Sequence, residues 1–139
     1  MDIGEIMTTD VVTCSPDETL AQVAQKMQRE NIGLCPVIDQ DNLIGVITDR
    51  DITTRAVAKG FDPNSKHVHD FMTPSPITGD PAMSLEEACR LMANNQIRRL
   101  PVLEDNKLVG MVALADLSID LEEDELLAET LMKISEPSR

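Results

Sequence analysis

The chain repeats itself with a period of 65 residues. When residue n is placed over residue n+65, identical residues coincide from residue 7 to residue 51 without insertion or deletion. The coinciding pairs include Met7-Thr8 with Met72-Thr73, Thr13 with Thr78, Pro16 with Pro81, Pro36-Val37 with Pro101-Val102, Gly45 with Gly110 and Asp51 with Asp116. Because chance similarity does not hold register over so long a stretch, the 139 residues contain two copies of one structural unit.

Each copy carries a signal for the start of a helix. Thr19 with Gln22, and Ser84 with Glu87, have the spacing of a capping box, in which hydroxyl and N3 side chain satisfy each other's free amides. Apolar residues then recur at helical spacing. They are Leu20, Val23, Ala24 and Met27 in the first copy, and Leu85, Ala88, Cys89 and Met92 in the second. Each copy therefore predicts one amphipathic helix.

The rest of each copy predicts short strands and a second helix. Apolar runs at 34–38 and 43–48, and at 99–103 and 108–113, flank turn residues and predict a hairpin in each copy. Pro36 and Pro101 have no amide to donate, so their strands are expected either to lie at a sheet edge or to begin at the proline. Short strands at 11–13 and 76–78 are expected to open the copies, and the second helix of the first copy should run from Asp49 to a left-handed cap at Gly60. The prediction is an α+β fold of tandem β-α-β-β-α repeats.

Domain boundaries follow from the same register. We predict a first repeat at 1–60, a linker at 61–70, a second repeat at 71–117 and an acidic helical tail at 118–139. About sixty residues give a thin core, so the two repeats should pack about a pseudo-twofold axis and leave two related clefts between them. The tail is expected to pack on the body, with self-association or partner binding as alternatives. Its predicted apolar stripe is Leu117, Leu121, Leu127, Leu131 and Ile134.

Composition argues against several functional classes. The net charge of −13 opposes nucleic-acid binding, and two phenylalanines are the only aromatic residues available for base stacking. There is no apolar run of about eighteen residues and no secretory leader, so no membrane contact and a cytoplasmic location are expected. Three cysteines without CxxC spacing suggest small buried apolar side chains rather than disulfides or a zinc site.

The doubled unit resembles a known family. The paired repeats, the Met-Thr lead-ins, the Pro-Val strands and GVITDRDI at 45–52 resemble a cystathionine-β-synthase (CBS) domain pair, also called a Bateman module, over residues 1–117. The resemblance is strongest to small stand-alone bacterial CBS-pair proteins. It implies a regulatory module whose members bind AMP, ADP, ATP or S-adenosylmethionine in clefts between the repeats. The ligand motif of the family is Gly-apolar-x-Ser/Thr-x-x-Asp, which residues 45–51 match in full.

The motif has a chemical rationale. The carboxylate of Asp51 can accept hydrogen bonds from two neighbouring ribose hydroxyls, and Thr48 can donate to a phosphate oxygen. In the second repeat Ala113 replaces the hydroxyl residue, so Asp116 keeps only the sugar contact. The alternative is structural, because Thr48 or Asp49 can simply cap the helix while Asp51 offsets its dipole.

A phosphate near so acidic a chain needs local cations. Arg98 and Arg99 stand where the resemblance implies a basic phosphate-binding side, whereas the first repeat has Gly33 and Leu34 there. We therefore expect the first repeat to supply Thr48 and Asp51, and the second repeat to supply the guanidinium groups. The alternative pairs both arginines with surface acids.

Three weaker candidates complete the ligand site. Arg50 either helps to hold phosphate or bridges to Asp49. Thr13 and Thr78 match family positions that border the base or sugar, although plain strand residues are the simpler interpretation.

Other patterns predict little chemistry. His67 and His69 lack the further ligands of a metal site, no nucleophile has a base at motif spacing, and no phosphate loop is present. We therefore expect a non-enzymatic, homodimeric sensor without a cofactor, which binds an adenosyl ligand and signals to an unknown protein partner. The alternative is a ligand-independent interaction or stress scaffold with vestigial clefts, and a cysteine or histidine enzyme is a third hypothesis.

Overall fold

A computed structural model describes residues 1–120 and 124–137 of the chain. Two compact units are present, and each has a hydrophobic core of its own. The continuous unit is Val12–Pro76, and the split unit combines Met1–Val11 with Ile77–Arg139. The units therefore differ from the predicted sequence repeats, because the first residues of the chain group with the second repeat.

The continuous unit contains a three-stranded antiparallel sheet. Strands β1 (Leu34–Asp39) and β2 (Asn42–Thr48) form a hairpin, and β3 (Thr73–Pro74) pairs with the other edge of β2. Gln40 and Asp41, with φ of 50° and 67°, make the turn between β1 and β2. The predicted hairpin and the edge position of the Pro36 strand are both confirmed.

The split unit repeats the hairpin. Strand β4 (Arg99–Glu104) pairs with β5 (Lys107–Ala113), and the turn residues Asp105 and Asn106 again have positive φ. Both hairpins shift register at the same place, after Val37 and after Val102. The duplication therefore extends to the irregularity in the strands.

The strands predicted at 11–13 and 76–78 are wrong. The structure has a single parallel bridge from Cys14 to Val37 in one unit, and from Gly79 to Val102 in the other. The Cys14 amide donates to the Pro36 carbonyl at 2.9 Å. Because Pro36 and Pro101 have no amide to return, pairing on this edge stops after one bridge.

Helices α1 (Leu20–Glu30) and α4 (Leu85–Asn94) occupy the predicted positions. The capping box of α1 is complete, with Gln22 N donating to Thr19 Oγ1 at 3.2 Å and Thr19 N donating to Gln22 Oε1 at 2.9 Å. At α4 the Ser84 hydroxyl accepts from the Glu87 amide at 3.1 Å, which is half of the predicted box. The predicted apolar stripe of α4 lies entirely in a core, and that of α1 does so at Leu20, Val23 and Met27 but not at Ala24, which is exposed.

The second helix of the first repeat is an irregular segment. It begins as α2 (Asp49–Asp51), continues as a π turn at Ile52–Ala56 and ends as a 3₁₀ turn at Val57–Lys59. Gly60 then adopts the left-handed conformation, with φ of 80°, so the predicted limits of the helix are confirmed.

The predicted linker is not a free connection. Its end forms α3 (Val68–Phe71), whose Val68 is fully buried and donates its amide to the Glu18 carbonyl at 2.9 Å. The Lys66 carbonyl accepts from the Leu20 amide, also at 2.9 Å. The linker is therefore bound to the start of α1.

The described part of the tail packs against the rest of the split unit, as expected. Helix α5 (Leu114–Asp120) follows β5, and α6 (Asp124–Ile134) packs against α4. Within residues 126–134 of α6, Leu126, Thr130 and Ile134 are buried, whereas Leu131 is 44% exposed. The predicted stripe is therefore right at Leu117 and Ile134, which are buried, and at Leu127, which is partly buried against the same core. It is wrong at Leu131, and Leu121 lies outside the described residues.

None of the helices in residues 1–120 and 124–137 has the length and apolar character needed to span a membrane.

Candidate functional site

Thr48 and Asp51 are locked together where β2 leads into α2. The Thr48 amide donates to Asp51 Oδ2 at 3.0 Å, and the Asp51 amide donates to Thr48 Oγ1 at 3.0 Å. This is a reciprocal capping box, so the structural alternative considered for this motif is realised. The bonds also fix both side chains in one orientation.

Arg55 is a neighbour of Asp51 that sequence reasoning missed. Its Nη2 lies 3.4 Å from Asp51 Oδ1, and its Nη1 donates to the Phe71 carbonyl at 3.0 Å. The Asp51 side chain is 14% exposed, so its charge is partly withdrawn from water and balanced by this guanidinium. The four-residue spacing of Asp51 and Arg55 on a helix was the available signal.

Asp49 and Arg50 lie at the exposed start of α2. Asp49 Oδ1 accepts from the Arg50 backbone amide at 2.8 Å, and the Asp49 amide donates to the Gly33 carbonyl at 3.0 Å. Within the described residues the Arg50 guanidinium forms no ion pair, so the suggested bridge to Asp49 is not made. The Arg50 guanidinium is therefore exposed at the start of α2.

The second repeat keeps half of this arrangement. The Ala113 amide donates to Asp116 Oδ2 at 3.0 Å, as Thr48 does to Asp51. Alanine has no hydroxyl to accept a hydrogen bond from the Asp116 amide, so the counterpart of the bond from Asp51 N to Thr48 Oγ1 is missing. The Asp116 carboxylate therefore accepts the same backbone hydrogen bond as Asp51. The hydroxyl is lost at Ala113, and Asp120 stands where the first repeat has Arg55.

Arg98 and Arg99 lie beside this second junction. The Arg98 carbonyl accepts from the Leu114 amide at 2.9 Å, and Arg99 is paired with Ala113 across the hairpin. Both side chains are exposed, and neither guanidinium pairs with an acid among residues 1–120 and 124–137. The structure thus groups Arg98 and Arg99 with Asp116, while Thr48, Arg50 and Asp51 belong to the continuous unit.

Thr13 and Thr78 are half-buried and precede the two isolated bridges. The Thr13 carbonyl accepts from Lys26 Nζ at 2.8 Å, and Lys26 also pairs with Glu18 at 2.9 Å. Thr13 is therefore tied to α1 through its backbone, and its side chain has no assigned partner in the described structure.

Cys14, Cys35 and Cys89 are free and buried, and their burial confirms the apolar interpretation. A hydrogen bond with Cys35, together with burial, raises the pKa of the Cys14 thiol. Burial likewise raises the pKa of Cys89, against the opposing effect of a hydrogen bond with Thr130. These environments disfavour the nucleophilic thiolate at Cys14 and Cys89.

His67 and His69 are exposed, and His69 Nδ1 lies 3.7 Å from Asp70 Oδ1. Within the described part of the chain, no group of three or more histidine, cysteine or acidic side chains is placed to hold a metal ion.

Comparison with known proteins identifies relatives over almost the whole chain. A family model for the CBS domain matches residues 3–57 and again residues 68–123. CBS domain-containing protein YhcV of Bacillus subtilis is 43% identical over 133 residues, which cover 96% of this chain and 94% of YhcV.

Two solved structures extend the comparison. Hypoxic Response Protein I, solved with two coordinated zinc ions, is 34% identical with a TM-score of 0.80, over 87% of this chain and 99% of that one. CBSX2, solved in complex with AMP, is 28% identical with a TM-score of 0.74, over 86% of this chain and 94% of that one. The chain therefore belongs to the CBS-domain family and carries two CBS domains.

Proposed function

We propose that this CBS pair is a non-catalytic sensor that binds an adenosine-containing ligand and passes its state to a protein partner. The observation that carries the proposal is the fixed Thr48–Asp51 pair at the end of β2, within a complete Gly-apolar-x-Thr-x-x-Asp motif. The relative CBSX2 was solved with AMP, which supports an adenine nucleotide as the ligand class. The proposed candidates are AMP, ADP, ATP and S-adenosylmethionine.

Asp51 is the proposed sugar-binding residue. Its two carboxylate oxygens each accept one contact within the chain, from Thr48 N and from Arg55. A carboxylate offers about four lone-pair sites, so acceptor capacity is left for two ribose hydroxyls. Because the capping box already holds the side chain, binding requires little further loss of side-chain entropy.

Thr48 and the exposed arginines are the proposed phosphate-binding groups. The Thr48 oxygen accepts from the Asp51 amide, and its own proton stays available for a phosphate oxygen. Arg50, Arg98 and Arg99 carry exposed guanidinium groups that suit a phosphate. The location of the ligand in a cleft between the repeats, with Thr13 and Thr78 at its border, stays a prediction.

The second repeat should bind more weakly. Asp116 keeps the position of the sugar-binding carboxylate, but Ala113 provides no hydroxyl for phosphate. We therefore propose one principal ligand per chain.

Calorimetric titration with AMP, ATP and S-adenosylmethionine tests the proposal. We expect saturable heat with at least one of them, and loss of that heat in Asp51→Asn, which keeps a carbonyl oxygen for the Thr48 amide. Asp116→Asn is the matched control in the other repeat and should retain the principal site. No heat with any of the three ligands at millimolar concentration would reject the sensor proposal.

A ligand-independent interaction scaffold is the second candidate. Thr48 and Asp51 already satisfy one another, so their presence is explained without a ligand. Under this alternative, affinity for the protein partner would be the same with and without nucleotide. Under the sensor proposal it must differ, because a ligand shifts a partner equilibrium only through differential affinity.

Self-association is part of the proposal. We propose a homodimer, and native mass spectrometry of freshly purified protein would report both the number of subunits and any retained nucleotide. A monomer at micromolar concentration would contradict the dimer and leave the ligand proposal to be judged by titration.

A further inference from the structure

Cys14 and Cys35 face each other in the core of the continuous unit. Cys14 precedes α1 and Cys35 lies in β1, and the two residues are 4% and 0% exposed. Their thiols are joined by a hydrogen bond. Each sulfur also lies against the backbone of the other segment, because Cys14 Sγ is 3.7 Å from the Pro36 carbonyl oxygen and Cys35 Sγ is 3.6 Å from that of Val12. The fold therefore brings together two thiols that share no local sequence motif.

The second repeat gives an independent measure of how closely these two positions approach. A shift of 65 residues carries Cys14 onto Gly79 and Cys35 onto Leu100, and the same isolated bridge fixes the register of both copies. A Cβ built on Gly79 would lie 3.4 Å from Leu100 Cγ, the atom that corresponds to a cysteine sulfur. Bonded cysteines hold their Cβ atoms about 3.5–4.5 Å apart, so side chains at two positions in such direct contact are within reach of a disulfide.

The two thiols differ in how readily they ionise. The hydrogen bond from Cys14 lowers the pKa of Cys35 against the effect of burial, and the Lys26 ammonium lowers it further, with Glu18 opposing. The same hydrogen bond and burial raise the pKa of Cys14. Lys26 is held in place, because its Nζ donates to the Thr13 carbonyl at 2.8 Å and pairs with Glu18 at 2.9 Å. Cys35 is therefore the better nucleophile of the pair, and Cys14 is its hydrogen-bond donor.

The segment that carries Cys14 is lightly held at the edge of the sheet. In the described structure two backbone hydrogen bonds join it to β1, from Cys14 N to the Pro36 carbonyl at 2.9 Å and from Ile38 N to the Cys14 carbonyl at 2.8 Å. Pro36 has no amide with which to extend the pairing. A segment held by so few bonds can open locally while the core stays folded, and such opening gives a small oxidant access to both sulfurs.

We propose that Cys14 and Cys35 form a peroxide-sensitive dithiol, and that their disulfide locks the segment before α1 onto β1. The Cys35 thiolate attacks one oxygen of hydrogen peroxide, the O–O bond breaks, and the released hydroxide takes up the proton that Cys35 had lost and leaves as water. Cys35 is then a sulfenic acid, oxidised by two electrons.

The second step closes the disulfide. The Cys14 sulfur attacks the sulfur of Cys35, the S–O bond breaks, and the departing hydroxide takes the Cys14 proton and leaves as a second water. Two thiols and one peroxide thus give one disulfide and two waters. The reaction uses no residue of the proposed nucleotide site and goes beyond that function.

Peroxide treatment of the full native chain tests the proposal. The intact mass should fall by about 2 Da, the mass of the two hydrogens lost. Free thiols counted after denaturation should fall from three to one, with Cys89 as the internal control that stays free. Trypsin cleaves after Lys26 and Arg29, so the peptides 1–26 and 30–50 should appear as one linked species that dithiothreitol separates.

Single-cysteine variants test the assigned roles. Cys89→Ala is the matched control and should still form the disulfide. Cys14→Ala should react with peroxide at Cys35 at least about tenfold faster than Cys35→Ala reacts at Cys14, because Cys35 is the better nucleophile. The peptide map of the parent chain needs no variant, so it decides the linkage even if a substitution impairs folding.

Amide hydrogen exchange tests the locking of the segment. The Ile38 amide donates across the bridge to Cys14, so its exchange should slow at least about tenfold when the disulfide forms. The matched amide of the other repeat is Leu103, which donates to the Gly79 carbonyl at 2.9 Å and should exchange at the same rate in both states.

Several results would overturn the inference. The linkage is wrong if the parent keeps all three thiols at millimolar peroxide, if the linked peptides include Cys89, or if the disulfide joins two chains. The roles are wrong if Cys14 proves the more reactive sulfur. Unchanged exchange at Ile38 in the oxidised chain would reject the locking. None of these measurements uses a nucleotide, so the ligand proposal is judged separately.

Discussion

Thr48 and Asp51 cap the start of α2 and are also the side chains that we propose to bind the ligand. Their reciprocal hydrogen bonds satisfy two amides at the start of α2. The same bonds leave a hydroxyl proton and several carboxylate lone pairs unused. The capping role is therefore compatible with the proposed binding role, and substitutions at Thr48 and Ala113 can separate the two.

The cap makes a measurable contribution at each junction. Thr48→Ala should lower the free energy of unfolding by about 1 kcal/mol, because the Asp51 amide loses its acceptor. Ala113→Thr should raise it by roughly 0.5–1 kcal/mol, because the Asp116 amide gains one. Urea denaturation of the purified chain measures both.

Thr48→Ser is the control for this pair of variants, since it keeps the hydroxyl and should stay close to the parent. Destabilisation by Ala113→Thr would contradict the expectation that a hydroxyl at this position accepts from the Asp116 amide.

Ala113→Thr also tests the ligand proposal. It completes the Gly-apolar-x-Thr-x-x-Asp motif in the second repeat, where Asp116 already holds the matching position. We expect calorimetric stoichiometry to rise from one ligand per chain to two. An unchanged stoichiometry, with the parent site still active, would show that the hydroxyl is not what limits the second repeat.

At the scale of elements, the Met-Thr segment that opens each repeat pairs with a strand of the other repeat. Thr73 opens the second repeat in sequence but pairs with Val46 of β2, and Thr8 forms the matching bridge with Met111 of β5. This exchange explains why the second strand of each hairpin has a glycine at this position. A Cβ on Gly45 would lie 2.6 Å from Met72 Sδ and 2.8 Å from the Thr73 carbonyl oxygen.

Gly45→Ala should consequently destabilise the chain by about 1–3 kcal/mol, because β3 has to move away from β2. Gly33→Ala is the matched control. Its added Cβ would lie 3.3 Å from a carboxylate oxygen of Asp49, an exposed side chain that can rotate. Thermal unfolding compares the two, and equal losses of stability would contradict this account of β3.

The elements that could be predicted from sequence are those with local causes. The hairpins at 34–48 and 99–113 and the cap at Thr19 depend on neighbours within a few residues, and all three are present. The opening strands were overestimated, because a proline on the opposite strand limits their pairing. The pairing of Thr73 with Val46 and of Thr8 with Met111 joins residues far apart in the chain, so no local sequence pattern predicts it.

The candidate site follows the same division. The residue types at 45–51 were sufficient to select Thr48 and Asp51, since a motif fixes spacing. Arg55 was missed because its partner choice depends on the π turn at Ile52–Ala56 and on the Phe71 carbonyl. For Leu131, a small error in helical phase was enough to place an exposed residue in the predicted stripe.

At the scale of the whole molecule, the dominant electrostatic feature is the excess of negative charge, which is not neutralised within the chain. The chain has 25 acidic residues and 12 basic ones, so thirteen acids would lack a cation even if every base were paired. Such an excess favours solubility but repels itself in the compact state. It also means that an anionic ligand depends on a few exposed guanidinium groups for its approach.

Salt should therefore stabilise this protein. Raising NaCl from about 10 mM to about 100 mM shortens the Debye length from about 30 Å to about 10 Å and screens repulsion between distant carboxylates. We expect the free energy of unfolding at pH 7 to rise by about 1 kcal/mol, measured by urea denaturation at each salt concentration. Choline chloride should act equally, because screening depends on ionic strength and not on the cation. A decrease with salt would mean that short-range pairs such as Lys26–Glu18 outweigh the excess of acids.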